Sequence, residues 1–190
     1  MNQRLETANY FPWLGGFFVI AGIVHIASVL ILPRFAPADA FARIAAAAPA
    51  GQLTILPRAE PHKELVPFND PAMADAVCRY DLASGPFRIS VNLTSDSLLS
   101  MSFHDRYGIV FYAMTDRAAV RGRIEAVVVT ARQKEALEND DDEEGPPPEL
   151  RLVTAQREGF VLFRALAEQP GDHAGAENRL RSISCAADAG

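Results

Sequence analysis

Residues 87–105, FRISVNLTSDSLLSMSFHD, alternate in polarity twice over. Phe87, Ile89, Val91 and Leu93 point one way while Arg88, Ser90 and Asn92 point the other; beyond Thr94-Ser95-Asp96, Leu99, Met101 and Phe103 repeat the pattern against Ser100, Ser102 and His104. A period of two with one apolar face marks a half-buried strand. The two runs predict antiparallel strands, with the intervening Thr, Ser and Asp supplying a turn.

The pattern extends on both sides. Ser84-Gly85-Pro86 separates the first run from an earlier strand over 74–82, so the three strands are expected to form a meander. Residues 109–114 are apolar on both faces and predict a central strand, with another over 124–129. Segments 150–155 and 160–166 predict a late hairpin across Gln156-Arg157-Glu158-Gly159, for about seven strands in all. Two helices interrupt the series. Thr130 with Gln133 has capping-box spacing and opens a helix running to 137, and Ala176, Leu180 and Ile183 fall on one face of a C-terminal helix. The expected class is α+β: a mainly antiparallel β domain over 51–190 with a short mid-domain helix and a C-terminal one. Between the helices, residues 138–149 are acidic and then proline-rich, a solvated loop that repels itself. Asp140, Asp142, Glu144 and Gly145 mimic the start of an EF-hand loop, but Pro146 and Pro148 come next and Arg151 stands where the bidentate acid belongs.

Upstream, residues 11–32 (FPWLGGFFVIAGIVHIASVLIL) contain no Asp, Glu, Lys or Arg. Such a run crosses the ~30 Å hydrocarbon core as one helix. A secretory signal peptide is the alternative, with Ala38-Asp39-Ala40 as a small-x-small cleavage site; the length of the run and the lone Arg4 against Glu6 favour a retained anchor. Tyr10 and Trp13 suit one headgroup boundary and Arg34 the other. Residues 1–10 are then a cytoplasmic leader and 33–50 a juxtamembrane linker, where Phe41, Ile44 and Ala48 share a face of a short amphipathic helix near the bilayer. Arg4 and the amine on one flank balance Arg34 and Arg43 on the other, so charge alone does not set orientation. An N-terminal anchor with a short leader commonly exports the domain behind it, which puts this domain outside the cytoplasm.

Within the span, His25 is the one ionisable side chain, with Ser28 three residues on. Intramembrane ionisable groups mark function by default. The readings are a hydrogen bond to a partner helix, a neutral imidazole capped by a carbonyl or by Ser28, or a cofactor or proton role. Gly15 and Gly22, with Ala21 and Ser28, lie along one side and permit close helix approach.

A net charge of −6 leaves no basic footprint for nucleic acid. The partners expected are the lipid bilayer and another membrane protein.

Asp70-Pro71-Ala72-Met73-Ala74-Asp75-Ala76-Val77-Cys78-Arg79-Tyr80-Asp81-Leu82-Ala83-Ser84-Gly85-Pro86, then 97–105 and 108–112, carry a family resemblance. Tyr80-Asp81-Leu82-x-x-Gly85-Pro86 and Leu99-Ser100-x-x-x-x-Asp105 approximate two motifs of the bacterial envelope domain DUF1254, and the chain resembles its short, membrane-anchored members. The family's Asn-Asp-Thr segment is out of register, since Asn69-Asp70 is followed by Pro71. The resemblance implies a β-rich envelope domain, a DUF1214-type companion and no established activity. Taken with the anchor and its short leader, the expected location is the bacterial inner membrane, as a single-pass protein with its C-terminal domain in the periplasm.

Cys78 falls on the apolar side of its strand, with Ala74, Ala76, Tyr80 and Leu82, and Cys185 closes the C-terminal helix. Two distant thiols without a CxxC do not make a zinc or redox motif. An exported domain would join Cys78 and Cys185 in a disulfide; a reduced one would keep both as buried thiols. Motifs for a nucleophile elbow, a zinc protease, a phosphate loop or a dinucleotide site are absent, and no metal or cofactor is expected. His104-Asp105 is the best remaining pair for a cleft, with Tyr107 or Asp116 beside it, and an exposed surface histidine is the competing reading. His62 and His173 carry no motif. The expected function is a non-catalytic accessory or assembly subunit of a larger envelope complex. The alternative is a ligand-binding or hydrolytic envelope domain using His104, Asp105 and Tyr107.

Overall fold

The computed structural model describes residues 3–35, 39–58, 70–93, 98–140, 149–169 and 171–187. The turn expected at 94–96, His62 and most of the acidic loop (141–148) lie outside the described residues. The chain divides into two compact units, Met1–Pro37 and Ala38–Gly190.

The first unit is one helix, α1 (Gln3–Phe35). Its stretch Tyr10–Leu32, 23 residues, is long and apolar enough to cross a membrane. The helix begins earlier than the apolar run, at Gln3, and passes Pro33 to end at Phe35. Pro33 lies in the last turn, so the one hydrogen bond its missing N–H removes is at the helix end.

The second unit is α+β, with nine strands among the described residues: β1 (Leu53–Ile55), β2 (Met73–Asp81), β3 (Phe87–Asn92), β4 (Leu99–Asp105), β5 (Val110–Thr115), β6 (Arg123–Val129), β7 (Leu150–Val153), β8 (Glu158–Leu166) and β9 (Ser184–Ala187). Helices α2 (Ala40–Ala47), α3 (Ala131–Asp140) and α4 (His173–Arg181) accompany them. The strands form two sheets, ordered β1-β2-β8-β4-β5 and β7-β6-β3-β9. All pairings are antiparallel except β6 with β7. The period-two faces meet between the sheets. Ala76, Tyr80, Met101, Phe103, Val161 and Phe163 from the first pack with Phe87, Ile89, Val91, Ala126 and Val128 from the second, and α4 closes the core with Ala176 and Leu180.

Three expectations about pairing are corrected. The meander does not form, because β3 enters the second sheet while β2 and β4 both pair with β8. The late hairpin does not form either: β7 pairs with β6, and the chain crosses to the other sheet before β8. Buried on both faces over Gly159–Phe163, β8 needs neighbours on two sides and a cover, which only the centre of the larger sheet offers. The apolar strand expected to be central, β5, is an edge strand.

Helix α3 has the reciprocal cap read from the sequence: the Thr130 N–H donates to Gln133 Oε1 (2.9 Å) and the Gln133 N–H to Thr130 Oγ1 (3.3 Å). It continues into the acidic segment as far as Asp140, with Lys134 paired to Glu138 at 3.3 Å. Cys185 lies on β9 opposite Ile89, not at a helix end, and is bonded to Cys78 on β2. The disulfide ties the two sheets together across 107 residues of sequence.

Candidate functional site

The face of the larger sheet away from the main core is covered by α2. Phe41, Ile44 and Ala48 pack with Leu56, Val77, Phe160 and Leu162, so the face read as a juxtamembrane spacer belongs to the folded domain. Both ends of α2 are held. Asp39 caps the first turn by accepting the Ala42 N–H at 2.7 Å, and Arg106 reaches it at 2.9 Å. Arg79 donates to the Ala45 and Ala48 carbonyls at 3.3 and 3.0 Å, satisfying acceptors that a helix end leaves open. The guanidinium groups of Arg106 and Arg79 also lie over the Phe41 ring, 4.4 and 5.5 Å from its centroid. The Ala42 N–H and then Arg106 hold the Asp39 carboxyl below its ordinary value.

His104, Asp105 and Tyr107 come together beside this helix, at the turn between β4 and β5. Asp105 Oδ1 accepts the backbone N–H groups of Tyr107 (2.8 Å) and Ile109 (2.9 Å), which commits the carboxylate to shaping the turn. Gly108 supplies the left-handed conformation the turn needs, with φ +79°. Tyr107 points to solvent, and Asp116 lies at the far end of β5.

His104 is not the exposed surface histidine expected. Its ring stacks on Phe160 with centroids 4.6 Å apart and planes 8° apart. Nδ1 is 3.1 Å from the Gly108 carbonyl, which can only accept, so the proton is assigned to Nδ1. Nε2 then accepts from the Ser102 hydroxyl at 2.8 Å. Burial lowers the imidazole's pKa and Arg164 adds to this, against the Gly108 bond and Asp105. The residue missed in the sequence is Ser102, two positions from His104 on the same strand face.

A serine 2.8 Å from a neutral imidazole has nucleophile–base spacing. The histidine is oriented by a carbonyl rather than a carboxylate. Ser102 sits mid-strand, paired with Ala113 on one side and Leu162 on the other, so the ladders rather than an oxyanion engage the backbone there.

At the opposite end of β5, an open cleft of about 560 Å³ is lined by Met114, Val120, Arg121, Ile124, Glu149 and Leu150. Arg121 in its lining and the adjacent Gly122 both have positive φ (54° and 75°). Glu149 is paired with Arg88 and lies 3.6 Å from Arg151. Among the described residues, no three His, Cys, Asp or Glu side chains are grouped to hold a metal.

On α1, His25, Ser28, Gly15 and Gly22 are exposed, and the space around both glycines is open. At 3.6 residues per turn the four fall within about 140° of arc.

No family model matches the sequence, nor does any curated protein sequence. The fold is similar to that of the VPA0106 protein from Vibrio parahaemolyticus, at 13% identity and a TM-score of 0.54 over 80% of this chain and 35% of that one. At that identity the likeness shows the fold alone. An uncharacterized protein from Burkholderia cenocepacia matches at 18% identity with a TM-score of 0.42, over 61% of this chain and 32% of that chain. The chain thus spans about a third of the length of either neighbour.

Proposed function

We propose that this is a single-span protein of the bacterial inner membrane, a short DUF1254-type member, whose periplasmic β domain serves as a non-catalytic accessory or assembly subunit of a larger complex. The observation that carries the reading is on α1. A helix apolar all round has no need of an imidazole, and His25 stands exposed on it among Gly15, Gly22 and Ser28. In lipid, helices associate through close contact at small residues and through polar contacts worth about 0.6 kcal/mol on average. The Cys78–Cys185 bond supports an oxidising compartment.

Mild-detergent purification at native expression tests the reading. A stoichiometric membrane partner that is lost on His25→Leu or Gly22→Leu, while the protein stays in the membrane, is the expected result. A protein that purifies alone, or retains its partner through an unrelated polyleucine span, overturns the helix-mediated form of the proposal.

The Ser102–His104 contact favours a second reading, a hydrolytic or ligand-binding envelope domain. A fluorophosphonate probe that labels the wild type but not Ser102→Ala would decide for it.

A further inference from the structure

The β4–β5 turn is an apolar exposed tip, and its own hydrogen bonds order it. Tyr107, Ile109 and Val110 are 70%, 63% and 51% exposed. On the face of β5 that Val110 shares with Tyr112 and Met114 the exposure then falls, to 39% at Tyr112 and 9% at Met114, while Ala113 and Thr115 stay exposed. The large exposed apolar side chains are thus concentrated in the turn and at the start of β5.

That end adjoins the start of α2. Arg106, at the base of the tip, contacts Asp39 at 2.9 Å and lies over Phe41. Only three residues separate Asp39 from the last residue of α1, Phe35. The tip is therefore held to the first described residue of the folded domain, a few positions along the chain from α1.

Its chemistry suits a lipid interface. Residues 106–115 contain no carboxylate in a chain of net charge −6. They offer two tyrosines, whose amphipathic rings favour the headgroup level, aliphatic Ile109 and Val110, and Arg106, with exposed Arg43 nearby on α2. Since Asp105 and Gly108 already order the turn, inserting it costs little conformational freedom.

We propose that Tyr107, Ile109 and Val110 form a second membrane contact, a tip resting in the headgroup and upper acyl region of the bilayer. The proposal rests on the reading of α1 as a retained anchor.

Trp13 is the sole tryptophan, which makes the test separable. The full chain is reconstituted into phosphatidylcholine–phosphatidylglycerol vesicles with and without brominated acyl chains. Trp13→Phe combined with Ile109→Trp reports the tip, and Trp13→Phe with Val120→Trp reports an exposed position at the other end of β5. The expected result is a blue-shifted emission at 109 and a several-fold greater quenching by brominated lipid there than at 120. Tyr107→Trp serves as a second reporter if the 109 variant does not fold. Quenching of native Trp13 without quenching at 109 or 107 overturns the tip contact and leaves the anchor standing. Absence of quenching at Trp13 removes the anchor and the tip contact with it. A blue-shifted 109 signal insensitive to bromine also overturns the proposal, and assigns the tip to a protein surface.

Discussion

The Tyr80 hydroxyl donates to the His104 carbonyl at 2.9 Å although β8 lies between their strands. The ring crosses at Gly159, which pairs with Tyr80 on one side and Asp105 on the other. A Cβ at 159 would run into the Tyr80 ring and hydroxyl and the His104 carbonyl, so no larger residue fits without a shift. Burial pushes the Tyr80 phenol well above its ordinary pKa, which keeps it a donor at every physiological pH.

Gly159→Ala is therefore expected to destabilise the domain by about 1–3 kcal/mol through overpacking. Tyr80→Phe, which leaves the carbonyl without this donor, costs about 1–3 kcal/mol. Denaturant midpoints of the two variants check this, and a Gly159→Ala protein as stable as wild type would show that the strands part easily there.

His104 predicts a pH response. Its pKa is lowered in the folded state, chiefly by burial, so between that value and the unfolded value near 6.5 the unfolded chain binds more protons. Stability from this group is complete above about pH 6.5 and is lost as pH falls through the folded pKa. His104→Gln should flatten this part of the stability profile. A profile unchanged by the substitution would contradict the assignment.

The disulfide closes a loop of 107 residues and joins β2 to β9. Reduction, or paired Cys78→Ser and Cys185→Ser, is expected to cost about 4–5 kcal/mol in the chain-entropy model. Both thiols should resist maleimide in non-reducing denaturant. A reporter fused after Gly190 should be active only where export permits folding, and cytoplasmic activity would remove the environment the bond requires.

The α2 clamp gives the fourth expectation. Asp39→Ala removes the cap and the Arg106 contact, at a cost of about 1 kcal/mol that comes from the cap, since the ion pair is more than a third exposed. Arg79→Met leaves the carbonyls at 45 and 48 open. Limited proteolysis near α2 should quicken in both variants, and unchanged cleavage would mean that the apolar face alone seats the helix.

Local pattern determined a great deal. The alternation around Ile89 and Met101, the Thr130–Gln133 cap, the apolar run over 11–32 and the shared face of Phe41, Ile44 and Ala48 were all legible, because each depends on residues within a turn or two of one another. Tertiary structure alone decided which sheet each strand joins, since an inward-facing Ile89 and an inward-facing Met101 obey the same period whichever neighbour they pair with. It also decided that the apolar β5 lies at an edge and that Cys185 stands in a strand. The site divides in the same way. His104 reads as polar and exposed in its own strand, and becomes a stacked, fully hydrogen-bonded imidazole only because β8 brings Phe160 against it and the turn brings the Gly108 carbonyl. Sequence period assigns a side chain to a face; only long-range packing determines what covers that face.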